Sequence, residues 1–307
     1  MASRLDSCAI ICHPSSMTPR TIIPTAIEVN RPAAPGPVIV SVPHAGRIYP
    51  REILDAARVD HATLERLEDR WCDGIAAGAC EAGAAVVTAL WARAVADCNR
   101  GEGQMAPGEV EPALRAQFAT PGRKERAGLG VVPTRLADCG PLWKRLIDLE
   151  ALEWRLDRLH RPYHAALAAE IASARTRFGF AILIDLHSMP TIPSGQPGHG
   201  ARIIIGDRFG ATASGALVDM VIESAGALRE RVLHNQPYAG GHIVRTHGRP
   251  VRDVHAIQIE IDRSLYLTAD HLPDADRVER LSRWFADLVR AAQQWRPRAE
   301  LLPQAAE

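Results

Sequence analysis

The chain has 307 residues, long for one domain yet within the length over which an α/β protein wraps a single sheet. Its 47% hydrophobic and 23% charged content is ordinary for a globular protein, which argues for a sizeable core and against wholesale disorder. With 36 basic and 36 acidic residues the formal charge is zero, so no global positive field gathers nucleic acid or an anionic membrane, and neither is expected as a partner.

Residues 1–20 read as a disordered leader, because their only apolar run, Ala9-Ile10-Ile11, is far below a signal core or a membrane span. The six cysteines, Cys8, Cys12, Cys72, Cys80, Cys98 and Cys139, contain no C-x-x-C pair. Reduced thiols in a cytoplasmic chain are the simplest account of them. Residues 21–300 are expected to form a single domain, with a loop-rich insertion at about 101–140.

Strands are expected at 38–42, 84–90, 181–186, 202–205 and 256–261, each a short apolar run rich in β-branched residues and closed by polar or glycine signals. They read as central parallel strands. Helical patterns occupy 64–79, 142 to about 178, 211–229 and 274–295. In the second, Leu146, Leu149, Leu152, Leu156, Leu159 and Tyr163 form a stripe at spacings of three and four, facing either the core or a second copy. Pro162 kinks or divides that helix. Strand and helix alternate, so the expected fold class is α/β, a mixed and mostly parallel central sheet flanked by helices.

Two of these strands deliver a histidine at their exits: His44 in Val42-Pro43-His44-Ala45-Gly46 and His187 in Asp185-Leu186-His187-Ser188. Ligands bind at the carboxyl ends of strands in open α/β sheets, where loops converge. Two imidazoles there suggest a metal site, and a hydrolytic site needs a third ligand with one position left for water. The carboxylate candidates are Glu68, Asp69, Asp73 and Glu260; Asp69 and Asp73 are four apart on the expected helix and share a face. Asp185 points to the same face as His187 and suits holding its tautomer. Glu260 lies inside an apolar strand, where a carboxylate needs a metal, a cation or a proton as partner. Asn99-Arg100 pairs an amide with a forked guanidinium, a combination suited to a free carboxylate.

Seven islands stand in a telling order: Val42-Pro43-His44-Ala45-Gly46, Trp71-Cys72-Asp73-Gly74, Asp97-Cys98-Asn99-Arg100-Gly101, Asp185-Leu186-His187-Ser188, Gly206-Asp207-Arg208, Gly240-Gly241-His242-Ile243-Val244-Arg245 and Gln258-Ile259-Glu260-Ile261. Their order resembles that of the N-formylglutamate amidohydrolases, a family that looks related to the zinc carboxypeptidases. The resemblance implies a zinc-carboxypeptidase, phosphorylase/hydrolase-like fold and one divalent metal ion, zinc in the first instance, held by His44, Asp73 and His187. Asp73 is preferred over Asp69 because it matches the aromatic-x-Asp-Gly stretch. Asn99 and Arg100 become the clamp for the amino-acid carboxylate, Arg245 the partner of a distal carboxylate, and Glu260 the catalytic carboxylate. His242 stands where family members often carry tyrosine, which bears on specificity. The implied reaction is metal-dependent hydrolysis of N-formyl-L-glutamate to glutamate and formate, a step of histidine degradation.

Two rivals use the same residues. Another N-acyl amino acid amidohydrolase or a carboxypeptidase-like exopeptidase would share the metal site, and a non-catalytic metal- or amino-acid-binding protein would not need Glu260. A serine hydrolase is disfavoured, since no G-x-S-x-G occurs. Zinc, cobalt, manganese and iron all suit two imidazoles and a carboxylate, and the chain is compatible with a monomer or a homo-oligomer.

Overall fold

The computed structural model describes residues 25–118 and 120–297, so the leader expected at 1–20 lies outside them. The strands are β1 (Ile27–Asn30), β2 (Val38–Val42), β3 (Ala85–Ala89), β4 (Arg135–Leu136), β5 (Gly140–Pro141), β6 (Ala181–Met189), β7 (Ile203–Gly206), β8 (Val232–His234) and β9 (Val254–Asp262). Seven of them make one sheet in the order β1-β3-β2-β6-β9-β7-β8, and β4 pairs with β5 apart from it. The central run β3-β2-β6-β9 is parallel. At one margin β1 joins β3 antiparallel. At the other, β7 joins β9 antiparallel and β8 runs parallel to β7. The apolar run at 202–205 therefore forms an antiparallel neighbour and not the central parallel strand expected of it, because a run buried on both faces reads alike in either direction.

The helices are α1 (Arg51–Ala56), α2 (His61–Glu65), α3 (Cys72–Ala76), α4 (Arg123–Arg126), α5 (Leu149–Arg155), α6 (Arg161–Phe178), α7 (Gly215–Gly226), α8 (His242–His247) and α9 (Ala275–Gln294). The sheet is buried on both faces. Val38, Val40 and Val42 pack with Ile184 and Leu186 beneath α3, α7 and α9, while Ile39 and Leu183 pack with Leu159, Tyr163 and Leu167 on the opposite side. Each such aliphatic side chain contributes about 1.5–3 kcal/mol on burial, which makes β2, β6 and β9 a rigid floor for whatever their carboxyl ends carry.

Two expected helices are interrupted, and both interruptions position the site. The pattern at 64–79 breaks into α2, a turn and α3, because Trp71 takes a left-handed φ of 68°. Arg47 holds it there, its guanidinium 4.6 Å above the indole ring. The pattern at 142–178 begins as α5 at Leu149, capped by Asp148, whose side chain accepts from Ala151 N. It passes through a π-turn at Leu156–His160 and continues as α6, with Pro162 in the first turn, where a missing N–H costs least. Leu152, Leu156, Leu159 and Tyr163 are buried, while Leu146 and Leu149 are exposed.

Between 101 and 140, Met105, Val110, Leu114, Val131 and Val132 join the core on the Ile39–Leu183 side of the sheet, and the described residues there form short helical turns and the β4-β5 pair. In the His44 motif, a Cβ at Gly46 would lie 2.2 Å from the carbonyl oxygen of Trp91, so only glycine fits that close approach. Among the described residues no helix is long and apolar enough to cross a membrane.

Candidate active site

His44 follows β2 and His187 lies within β6, a strand that runs further than the sequence pattern suggests. Their rings meet edge to face with centroids 4.8 Å apart. The carboxylate between them is Asp69, whose Oδ2 lies 3.4 Å from His44 Nδ1 and 3.1 Å from His187 Nδ1. All three side chains are buried. The turn that carries Asp69 is tied directly to the His44 loop, as Asp69 N donates to His44 O at 2.9 Å.

Asp73, expected as the carboxylate ligand, stands elsewhere. It opens α3, partly exposed, and both of its oxygens accept from Arg47. The physical reason is the left-handed Trp71: with the helix broken at that residue, Asp69 and Asp73 no longer share a face.

Two further aspartates fix the tautomers. His44 Nε2 donates to Asp97 Oδ1 at 2.7 Å and His187 Nε2 donates to Asp185 Oδ2 at 2.9 Å. Both Nδ1 atoms therefore face Asp69, His187 Nδ1 within hydrogen-bond distance of its Oδ2, and a neutral ring would present a lone pair there. His44 Nδ1 is a buried nitrogen with no hydrogen-bond partner. Two lone pairs and a carboxylate oxygen in mutual contact repel unless a cation or a proton lies among them. Separations of 3.1 and 3.4 Å are those of neighbouring donors on one small divalent ion, whose bonds to nitrogen and oxygen are about 2.0–2.2 Å. A histidine that donates its other ring N–H to a carboxylate is also how metal-ligating histidines are held. The donor set of His44, Asp69 and His187 thus fits a metal ion.

The surrounding charges sharpen this. Burial alone would raise Asp69, but His187, His44 and Arg263 hold it well below the usual carboxylate range. Asp97 is likewise opposed by burial and carried far below that range, chiefly by Arg93, which grips its Oδ2 at 2.7 Å. Glu260 behaves in the opposite way. On β9, in register with His187, it is only partly reached by solvent, and burial pushes it up to about 7 despite nearby His187. Gln258 Nε2 donates to its Oε1 at 2.7 Å. A carboxyl poised near neutrality beside a metal-fitting cluster can exchange a proton at the pH where it works.

His44, Asp69, His187, Asn99, Arg100 and Glu260 all line one cleft of about 320 Å³. Asn99 is held by two hydrogen bonds and touches the His187 ring. Its Oδ1 accepts from Ile243 N at 2.9 Å, its Nδ2 donates to Gln258 Oε1 at 3.1 Å, and Nδ2 also lies 3.0 Å from His187 Nε2. Arg100 donates through Nε to Leu129 O and through Nη1 to Asn99 O, leaving Nη2 unpartnered among the described residues.

His242 and Arg245 line an adjoining recess of about 130 Å³ together with Arg100, Lys124 and Arg208. Arg245 lies on α8, because Gly240-Gly241 turns the chain and Gly241 caps a helix. None of Arg100, Lys124, Arg208 and Arg245 has an ion-pair partner among the described residues. Arg208 is held below its usual value by partial burial and by Arg245 facing it. Sequence reasoning passes over Arg208, Lys124, Arg93, Arg263 and Gln258. For two of them a signal exists: Gln258 is two residues before Glu260 on the same strand face, and Arg93 is four residues before Asp97.

Comparison with known proteins sets this geometry in a family. The chain is 31% identical over 237 residues to the N-formylglutamate deformylase of Pseudomonas aeruginosa, covering 75% of this chain and 82% of that one. It is 29% identical over 238 residues to the N-formylglutamate deformylase of Pseudomonas putida, with the same coverage of 75% and 82%. The crystal structure of N-formylglutamate amidohydrolase from Ralstonia eutropha JMP134 superposes with a TM-score of 0.80 at 28% identity, covering 88% of this chain and 97% of that chain. The sequence profile of the N-formylglutamate amidohydrolases matches residues 36–267, a span that takes in both histidines, Asp69, Asn99-Arg100 and Glu260, and the chain belongs to that family.

Proposed function

We propose that this chain hydrolyses the formamide bond of N-formyl-L-glutamate, releasing formate and glutamate as a step of histidine degradation, with a divalent cation, zinc in the first instance, held by His44, Asp69 and His187. The observation that carries this reading is the convergence of two imidazole Nδ1 atoms on Asp69 in a cleft that also holds Glu260. A cation at that place supplies Lewis acidity toward the formyl oxygen and makes a water acidic enough to be deprotonated near neutral pH.

The chain's own residues do the rest. Glu260 takes the proton of the attacking water and delivers it to the leaving nitrogen, a role suited to a carboxyl raised to about 7. Asp97 and Asp185 keep the two rings in the tautomers that face Asp69. Asn99 and Arg100 meet the α-carboxylate. Arg245, with Arg208 beside it and His242 at the rim, meets the side-chain carboxylate in the neighbouring recess. A substrate with two carboxylates answers the unpaired cations around that recess, and a guanidinium can take each one in a forked pair. Removing a charged partner from such a desolvated contact costs about 2–5 kcal/mol.

The test is formate release from a panel of N-formyl and N-acetyl amino acids, before and after chelation and with metal restored. The reading expects formate from N-formyl-L-glutamate, loss of activity on chelation and recovery with zinc. Preferential cleavage of N-acetyl substrates or dipeptides would assign the same site to the other acylases or to an exopeptidase.

A further inference from the structure

Four histidines stand together behind the segment that carries Asn99 and Arg100, and the proposed hydrolysis uses only one of them. His160 ends the π-turn, His164 lies near the start of α6, and His242 and His247 stand at the two ends of α8. Ring centroids are 4.6 Å apart for His160 and His164, 5.2 Å for His164 and His242, and 5.2 Å for His164 and His247. One ring nitrogen of each of His160, His164 and His242 lies within 4.8 Å of the others.

The hydrogen bonds give these rings the bearing of ligands. His160 Nε2 donates to Arg100 O at 2.7 Å and His164 Nε2 donates to Cys98 O at 2.9 Å. Each ring spends one N–H on a backbone carbonyl and keeps its Nδ1 lone pair, which is how metal-ligating imidazoles are oriented. His160 is buried, and its Nδ1 is among the few buried side-chain atoms with no hydrogen-bond partner. His164 Nδ1 lies 3.0 Å from His247 Nε2, close to the separation of two donors on one ion. His242 Nδ1 accepts from the exposed Arg245 at 3.0 Å. The carboxylate paired with the cluster is Glu102, 3.9 Å from His160 Nδ1.

We propose that His160, His164 and His242 form a second metal site, distinct from the His44–Asp69–His187 cluster, that takes an imidazole-favouring divalent cation such as zinc or copper, with His247 within reach as a fourth ligand. Imidazole donors select such ions over calcium or magnesium. Binding needs no net proton loss: His247 shifts its ring proton from Nε2 to Nδ1 as His164 Nδ1 turns to the ion. A cation held there ties α6 and α8 to the carbonyls flanking Asn99, and so stiffens the segment that faces the cleft.

Equilibrium dialysis of the full chain against Co²⁺ alone, with its visible absorption, tests this independently of turnover. The chain stripped of metal should take two equivalents; a His44→Asn/His187→Asn variant should keep one, and a His164→Asn/His242→Asn variant should keep the other. Because His164 is tied to Cys98 O and to His247, His242→Asn alone serves as the milder variant, weakening one equivalent by more than about tenfold, the loss that even an outer partner of a ligand can cause. A single equivalent lost in the His44/His187 variant and untouched in the other two overturns the proposal. A single equivalent lost only in the His164/His242 variant upholds it and removes instead the metal from the proposed hydrolytic site.

Discussion

In the proposed reaction Glu260 and Asp69 carry the largest share. Glu260 sits near 7 because burial penalises its charge, and it acts as a base only when ionised. The rate should therefore rise with pH through about 7 and flatten above it, and a profile flat from pH 5 to pH 8 would remove Glu260 from that role. Glu260→Gln should lower kcat by about 10²–10⁴-fold while leaving metal uptake intact; measured single-turnover rates and metal content separate the two effects. Asp69→Asn should abolish uptake at the His44–His187 site, whereas Asp73→Asn, which breaks a half-exposed pair with Arg47, should change stability by less than about 1 kcal/mol and leave uptake alone. Metal titration of the two variants compares them directly, and the reverse outcome would restore Asp73 as the ligand. Sequence carried the two histidines, Asn99, Arg100 and Glu260 into one cleft but not which aspartate stands beside the histidines. That choice turns on a single positive φ at Trp71, a residue with no intrinsic preference for it, held by stacking from Arg47 that no periodicity reveals.

At the level of elements, the apolar runs located β2, β3, β6, β7 and β9 because each is buried on both faces and has no polar alternation to confuse with loop. The edge strands β1 and β8 escaped, being short and only half buried, with patterns too brief to separate from turn. The short helix α8, which carries Arg245, was not expected either; Gly241 restarts the chain as a helix there. Gly241 also makes room for Asn99, because a Cβ there would lie 2.3 Å from Asn99 Oδ1. Gly241→Ala should displace the Asn99 amide with its ring contact to His187 and cut kcat/KM by about 10²-fold, the loss expected from an ångström of misplacement. Its circular dichroism should match the unsubstituted chain. A variant with unchanged kcat/KM would mean that Asn99 does not need its present position.

For the molecule as a whole, α/β class and a mixed sheet followed from the alternation of apolar runs with amphipathic stretches. The antiparallel direction of β7 did not, because a strand of isoleucines carries no directional mark. Because the cluster of His44, Asp69 and His187 exists only in the folded chain, a metal bound there adds to stability; at a hundredfold excess over Kd the gain is about 2.7 kcal/mol, on the order of 5 °C in Tm for a chain of this size. A scan of the stripped chain with and without zinc reads it, and equal Tm values would show that folding does not build the site. The most direct measurement of the central claim is proton NMR of N-formyl-L-glutamate mixed with zinc-loaded protein, its Glu260→Gln variant and the chelated chain. Formate and glutamate should appear in equal amounts with the first and with neither of the others above background; substrate left intact by the zinc-loaded protein, or consumed equally by all three, would contradict it.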